Sequence, residues 1–159
     1  FKTLSSYGHP VPCLDGVCQR AGQEALARVT KTVFTDRQDE FFLDLTSAYP
    51  VDGLKSLTRS FTYNRSGKGS LIVEDNFDCK TPRLYESALI TFGRWTLTED
   101  NCIEIEGENE RVTVKVETPK NCHFSVTSEK LQENGPEMTR IAIKLNKKIE
   151  KGTIKLVIK

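Results

Sequence analysis

Three runs near the C-terminus restrict the fold more than anything else in the chain. They are Val112-Thr113-Val114-Lys115-Val116-Glu117, Arg140-Ile141-Ala142-Ile143-Lys144-Leu145 and Ile154-Lys155-Leu156-Val157-Ile158-Lys159. In each, an apolar residue returns at every second position. That period lines one face of an extended strand and would scatter the same residues around a helix. One greasy face and one wet face on successive strands describe antiparallel sheets packed face to face. The same alternation is visible earlier: Val29 and Val33 in a first strand with Ala27 and Lys31, Phe41 and Leu43 in its return, and Leu57, Phe61 and Tyr63 after the Asp52-Gly53 turn. Further strands are expected over 70–77, 84–92 and 102–106 and around Phe124 and Val126, with Pro82 as an interruption and turns at Asn64–Gly69 and Asn134–Pro136. No helix longer than two turns is predicted. The expected fold is all-β, an antiparallel two-sheet β-sandwich. Its core is expected to hold Val112, Val114, Val116, Ile141, Ile143, Leu145, Ile154, Leu156 and Ile158.

A chain of 159 residues suffices for one domain, here 1–159, with a core that needs no disulfide. Lys and Arg total 23 against 22 acids, so the net charge of +1 offers no general attraction to nucleic acid or an anionic membrane, and neither is expected as a partner. No apolar run approaches the length of a membrane span. The five cysteines, Cys13, Cys18, Cys79, Cys102 and Cys122, cannot all pair within the chain, and their spacing matches no zinc ribbon. Cys13 and Cys18 with His9 would make a partial zinc cluster, but a fourth ligand is missing. Free buried thiols are the expectation, and these favour a reducing compartment such as the cytoplasm.

The chemistry-bearing stretch lies at the front: Ser5-Ser6-Tyr7-Gly8-His9-Pro10-Val11-Pro12-Cys13-Leu14-Asp15-Gly16-Val17-Cys18-Gln19. Pro10 biases His9 toward an extended backbone, and Gly8 permits close approach to another surface. A histidine held this way suits ligation or proton transfer; a partly buried histidine bonded to a carbonyl is the plain structural alternative. Arg59 falls on an apolar strand face, where a buried charge needs a partner. Asp75 or Glu74 on the adjacent strand can supply one, or the guanidinium fork can grip a sugar carboxylate or sulfate. Trp95, beside Arg94, is either a core residue or a stacking platform for a sugar. Four acids between Glu104 and Glu110 would repel a polyanion, so that edge is expected to face solvent. With two histidines in the chain there is no Ser-His-Asp set, and no catalytic residue is assigned.

The run from Ser5 to Gln19 resembles a segment of heparinase II/III-like polysaccharide lyases, in which Ser-x-x-His leads into a short Asp/Asn-Gly-x-x-Gln turn. Asp44-Leu45-Thr46-Ser47-Ala48-Tyr49-Pro50 agrees in order and spacing, as does Arg59-Ser60-Phe61 followed by Gly69–Phe77. The resemblance covers residues 1–78 and continues beyond only as further strands. It implies that His9 is a metal ligand, for zinc, in the intact enzyme. It further implies that the chain is the C-terminal β-sandwich of a larger multidomain lyase. The family's remaining ligands and catalytic histidine lie in a His-x-His-x-x-Asp-like motif absent from this chain, and its catalytic Tyr and Asn or Glu belong to an N-terminal helical toroid, absent too. The implied role is accessory: one metal ligand and support for a cleft that acts by β-elimination on an anionic, uronic-acid polysaccharide, with the isolated domain inactive. Tyr7, Arg59 and Trp95 are the candidate substrate contacts. The resemblance places the enzyme in a bacterial periplasm or outside the cell, against the cysteine argument. A free-standing carbohydrate-binding module and a purely structural sandwich are the alternatives.

Overall fold

A computed structural model describes residues 2–132 and 135–159. Two antiparallel sheets hold β1 (Cys13–Leu14), β2 (Arg28–Phe34), β3 (Gln38–Asp44), β4 (Leu54–Asn64), β5 (Ser70–Arg83), β6 (Tyr85–Thr91), β7 (Arg94–Leu97), β8 (Cys102–Glu106), β9 (Arg111–Glu117), β10 (Phe124–Leu131), β11 (Met138–Leu145) and β12 (Ile149–Ile158). The large sheet runs β2-β3-β4-β5-β12-β9-β8-β7, and the small one β1-β6-β11-β10. The described helical structure is two short 3₁₀ turns, Ser6–Gly8 and Thr46–Ala48. The all-β sandwich is therefore the fold. The turn expected at Asn134 lies outside the described residues.

Cross-strand register follows the alternation. Leu156 stands opposite Val73 on β5 and Val116 on β9, and Ile103 opposite Val114, so one apolar face runs across the large sheet. Ile141 and Ile143 of β11 present the matching face of the small sheet, and all of these pack in one cluster. A second cluster joins Leu57 and Phe77 of the large sheet to Tyr85 and Leu145 of the small, with Leu14, Leu45 and Tyr49 closing it. Phe77 and Tyr85 stack with ring centroids 5.4 Å apart. Of the expected core, Val112 and Ile158 are half-buried near the ends of their strands and the rest are buried. Each fully buried Leu57, Ile103 or Ile141 contributes about 1.5–3 kcal/mol.

The strand before residue 35 departs from its expected face. The β2–β3 register shifts between Val29 and Lys31, so Val29 pairs with Leu43 while Lys31 pairs with Phe42 and Val33 with Glu40. A bulge at this point moves Val33 to the opposite face from Val29. Lys31 then lies over the Phe42 ring, 4.9 Å from its centroid, and pairs with Glu40. Pro82 also does not end its strand: β5 continues to Arg83, because the ladder to β12 is already irregular between Ile149 and Lys151. A missing N–H is tolerated at such a place.

Candidate functional site

The segment from Ser5 to Gln19 crosses from one sheet to the other, and both hold it. Gly8 is buried because residues 2–8 fold back on themselves; Gly8 N–H donates to Ser5 O at 3.0 Å, and Ser5 Oγ donates to Lys2 O at 2.9 Å. His9 follows with an extended backbone, φ −122° and ψ 158°, as its place before proline requires. Its N–H donates to Ser6 O at 3.2 Å, its carbonyl accepts from Val11 N–H at 2.8 Å, and its side chain is exposed. The exposed ring rules out the core role for His9.

Tyr7 is half-buried over the outer face of the small sheet. Its hydroxyl donates to Glu129 Oε2 at 2.6 Å, and the Arg140 guanidinium lies 4.1 Å from its ring centroid. The bond to Glu129, reinforced by burial, raises the Tyr7 pKa above its usual value, while Lys2 and Tyr7 together lower that of Glu129. Arg140 is buried; its Nε donates to Tyr7 O at 2.9 Å, and its Nη2 to Glu86 Oε1 at 2.7 Å.

Arg59 is buried as well, on the inner face of the large sheet. Its Nε and Nη2 donate to Asp75 Oδ1 and Oδ2 at 2.6 and 2.7 Å, and its Nη1 to Pro10 O at 2.5 Å. The ion pair expected from the sequence thus forms with Asp75, whereas Glu74 points to the outer face and pairs with Lys155. Burial opposes the Arg59 charge, yet the Asp75 carboxylate outweighs it and holds the pKa above the ordinary arginine value. The Tyr85 hydroxyl also donates to Asp75, and its pKa rises well above normal through burial and that neighbouring charge. Tyr49, whose hydroxyl donates to Pro12 O at 2.8 Å, is likewise raised by burial. Pro10 and Val11 border an apolar cleft of about 440 Å3 between the sheets, which Phe61, Leu71 and Ile90 also line.

Trp95 stands apart from this cluster. It lies on β7 opposite Ile105, half-buried against the apolar core, with Arg94 exposed beside it and 3.3 Å from Glu106. The acidic stretch around Glu106, Glu108 and Glu110 is exposed, as expected.

The cysteine expectation needs correction. Cys13 and Cys18 form a disulfide, with Cα atoms 4.5 Å apart; Cys79, Cys102 and Cys122 are free. The Asp15-Gly16 turn brings the two together, since both residues adopt left-handed backbone, φ 50° and 79°, and Leu14 bridges back to Val17. The bond removes both sulfurs from any zinc cluster with His9. It also removes the argument for a reducing compartment, because disulfides persist where conditions are oxidising.

Arg140, Glu86, Glu129 and Tyr49 escaped sequence reading. A signal for Arg140 was present: Ala88 and Ala142, paired across β6 and β11, lie on the nominally outer face yet are buried, and small residues there mark a covered surface. The covering segment is more than 130 residues away in sequence, at Tyr7.

No family model and no curated protein matches the chain. Solved structures do. A heparinase III, the BT4657 gene product, superposes with a TM-score of 0.74 at 10% identity, over 94% of this chain and 23% of that one. The fold is that of part of a heparinase III. A heparan sulfate lyase, HepC from Pedobacter heparinus, gives 0.71 at 15% identity, and another heparinase III gives 0.70 at 12%, each with the same coverage. The chain spans about a quarter of the length of these structures. Its resemblance to a heparinase-type β-sandwich, drawn from residues 1–78, thus extends in three dimensions to nearly the whole chain.

Proposed function

We propose that this chain is the accessory β-sandwich of a heparinase II/III-like polysaccharide lyase. In this reading it supports the floor of a cleft and supplies one metal ligand, His9, and it does not catalyse alone. The observation that carries the reading is the superposition over 94% of the chain on only 23% of lyases named for heparan sulfate and heparin. The exposed imidazole on a fixed backbone agrees with it: a ligand shared between two domains must face outward from each. Among the described residues no three His, Cys, Asp or Glu side chains are grouped to hold a metal, so zinc, which takes three or four protein ligands, would draw the others from elsewhere in the intact enzyme. The substrate contacts assigned to Tyr7, Arg59 and Trp95 belong to the same proposal. Of the three, Trp95 keeps part of its ring exposed with an exposed guanidinium beside it, while Tyr7 and Arg59 have their polar atoms engaged within the domain.

The test is β-elimination, followed as ultraviolet absorbance of the unsaturated uronate product on heparan sulfate and heparin. The chain alone gives no product; joined to a helical toroid carrying the remaining ligands it does, and His9→Ala in that enzyme lowers zinc content and turnover together. Turnover by the chain alone, or unchanged zinc in the variant, overturns the reading.

A further inference from the structure

We infer that Arg59 and Arg140 are positioning residues for His9, acting through the backbone carbonyls on either side of it. The inference rests on the reading of His9 as an outward-facing ligand and adds how its place is set. Arg59 rises from β4 in the large sheet and Arg140 from β11 in the small sheet, and they are only 6% and 2% exposed. Each is anchored by a carboxylate of its own sheet. Arg59 uses Nε and Nη2 on Asp75, and Arg140 uses Nη2 on Glu86. Each then directs a remaining N–H at the same segment: Arg59 Nη1 reaches Pro10 O at 2.5 Å, and Arg140 Nε reaches Tyr7 O at 2.9 Å. Those carbonyls lie one residue after His9 and two residues before it.

The energetics argue that these arginines are not there for stability. A buried ion pair is often no better than apolar residues of the same volume, and this sandwich has two apolar clusters to extend. Two such pairs, from opposite sheets, converge on one exposed histidine. The rest of the segment has little freedom left: Tyr49 holds Pro12 O, the Cys13–Cys18 bond closes the next turn, and Pro10 restricts His9 itself. A ligand must be held to a fraction of an ångström, and locked supporting side chains are what provide that. Arginine is needed because its rigid fork spans carboxylate and carbonyl together, which a lysine ammonium does not.

The experiment uses Arg59→Lys and Arg140→Lys, which keep the charge beside Asp75 and Glu86 but lose the reach to the carbonyls. Amide hydrogen exchange is read at Val11, which donates to His9 O, against Leu57 and Ile141 in the core. Either variant is expected to quicken Val11 by about tenfold or more with the core amides unchanged, as local opening requires. Uniform quickening, or none at Val11, overturns the inference. If Arg59→Lys does not fold, Arg140→Lys carries the same comparison. In the intact lyase, Arg59→Lys is expected to lower kcat about tenfold and to add nothing on top of His9→Ala, as for residues acting through one another. Additive losses overturn it. Should His9→Ala leave turnover and zinc untouched, the reading of His9 as a metal ligand falls, and the exchange measurement alone decides whether the arginines hold the segment.

Discussion

Arg59 and Asp75 stand directly opposite each other on β4 and β5, and their side chains join in two parallel hydrogen bonds inside the sandwich. A guanidinium on an apolar strand face is tolerated only with such a partner, and Tyr85 and Pro10 O take up the donors and acceptors that remain. The pair links the core of the large sheet to the segment that carries His9.

Breaking one half of this pair is expected to cost far more than removing both. Asp75→Asn leaves the Arg59 charge buried without a counter-charge and should lower unfolding free energy by about 3–5 kcal/mol. Arg59→Met with Asp75→Leu should cost less than Asp75→Asn alone. Urea unfolding of the three proteins checks the order; an Asp75→Asn variant as stable as the parent would contradict it.

The disulfide sets a count and a stability. Of the five cysteines, Cys79, Cys102 and Cys122 should react with a thiol reagent in denaturant, and all five only after reduction. Closing so short a loop constrains the unfolded chain by about 2 kcal/mol, so Cys13→Ser with Cys18→Ser should lose roughly that much. Five reactive thiols in protein purified without reductant would show the bond to be absent.

Asp15 governs part of the acid limb of stability. Lys148 donates to it at 2.9 Å, with Leu84 N–H and Arg83 at 3.1 and 3.2 Å, and together these bring its pKa down from 3.8 to about 2. A carboxylate depressed by folding stabilises the native state fully above its unfolded pKa, and that contribution disappears as pH falls from about 3.8 through about 2. Asp44, lowered by its bonds from Thr46, adds a contribution of the same sign. Asp15→Asn should therefore be less stable than the parent at pH 7 and converge on it near pH 2. Parallel curves across that range would refute the assignment.

The strands were legible in the sequence because alternation over several residues encodes a face, and a face encodes burial. Ile141 and Leu156 needed no tertiary information. Where a local device resets the alternation, the reading slipped: the bulge between Val29 and Lys31 moved Val33 across the sheet, and the irregular ladder beyond Asp78 let β5 absorb Pro82. The Arg59–Asp75 pair was legible because a charge on an apolar face states its own need. Arg140 was marked only indirectly, by the small Ala88 and Ala142 on its face; that face was otherwise wet by pattern and became buried when the N-terminal segment, distant in sequence, lay over it. The Cys13–Cys18 bond was missed for another reason. Spacing shows how far apart two cysteines are along the chain, whereas pairing depended on left-handed backbone at Asp15 and Gly16.

Gly8 is the residue on which the placement of the N-terminal segment turns. A Cβ added there would sit 2.7 Å from Thr3 Cα and 2.8 Å from Lys2 O and Thr3 O, all backbone atoms of the fold-back. None is the yielding end of a flexible side chain, so in Gly8→Ala the backbone at Lys2 and Thr3 must shift, and residues 2–7 are expected to move off the small sheet. That displacement breaks the Tyr7 bond to Glu129, the Lys2–Glu129 pair and the Arg140 bond to Tyr7 O. The two core clusters contain none of these residues and should persist. Gly8→Ala is therefore expected to keep the parent's β-sheet circular dichroism, to bring the Tyr7 hydroxyl pKa back toward 10 from its raised value, and to make the bonds before His9 the first cut in limited proteolysis. Removing the segment also leaves Arg140 without its second acceptor, so the melting temperature should fall, by several degrees for each 1 kcal/mol lost. An alanine variant whose N-terminal segment resists protease as the parent does would mean that the fold-back does not hold Tyr7 in place.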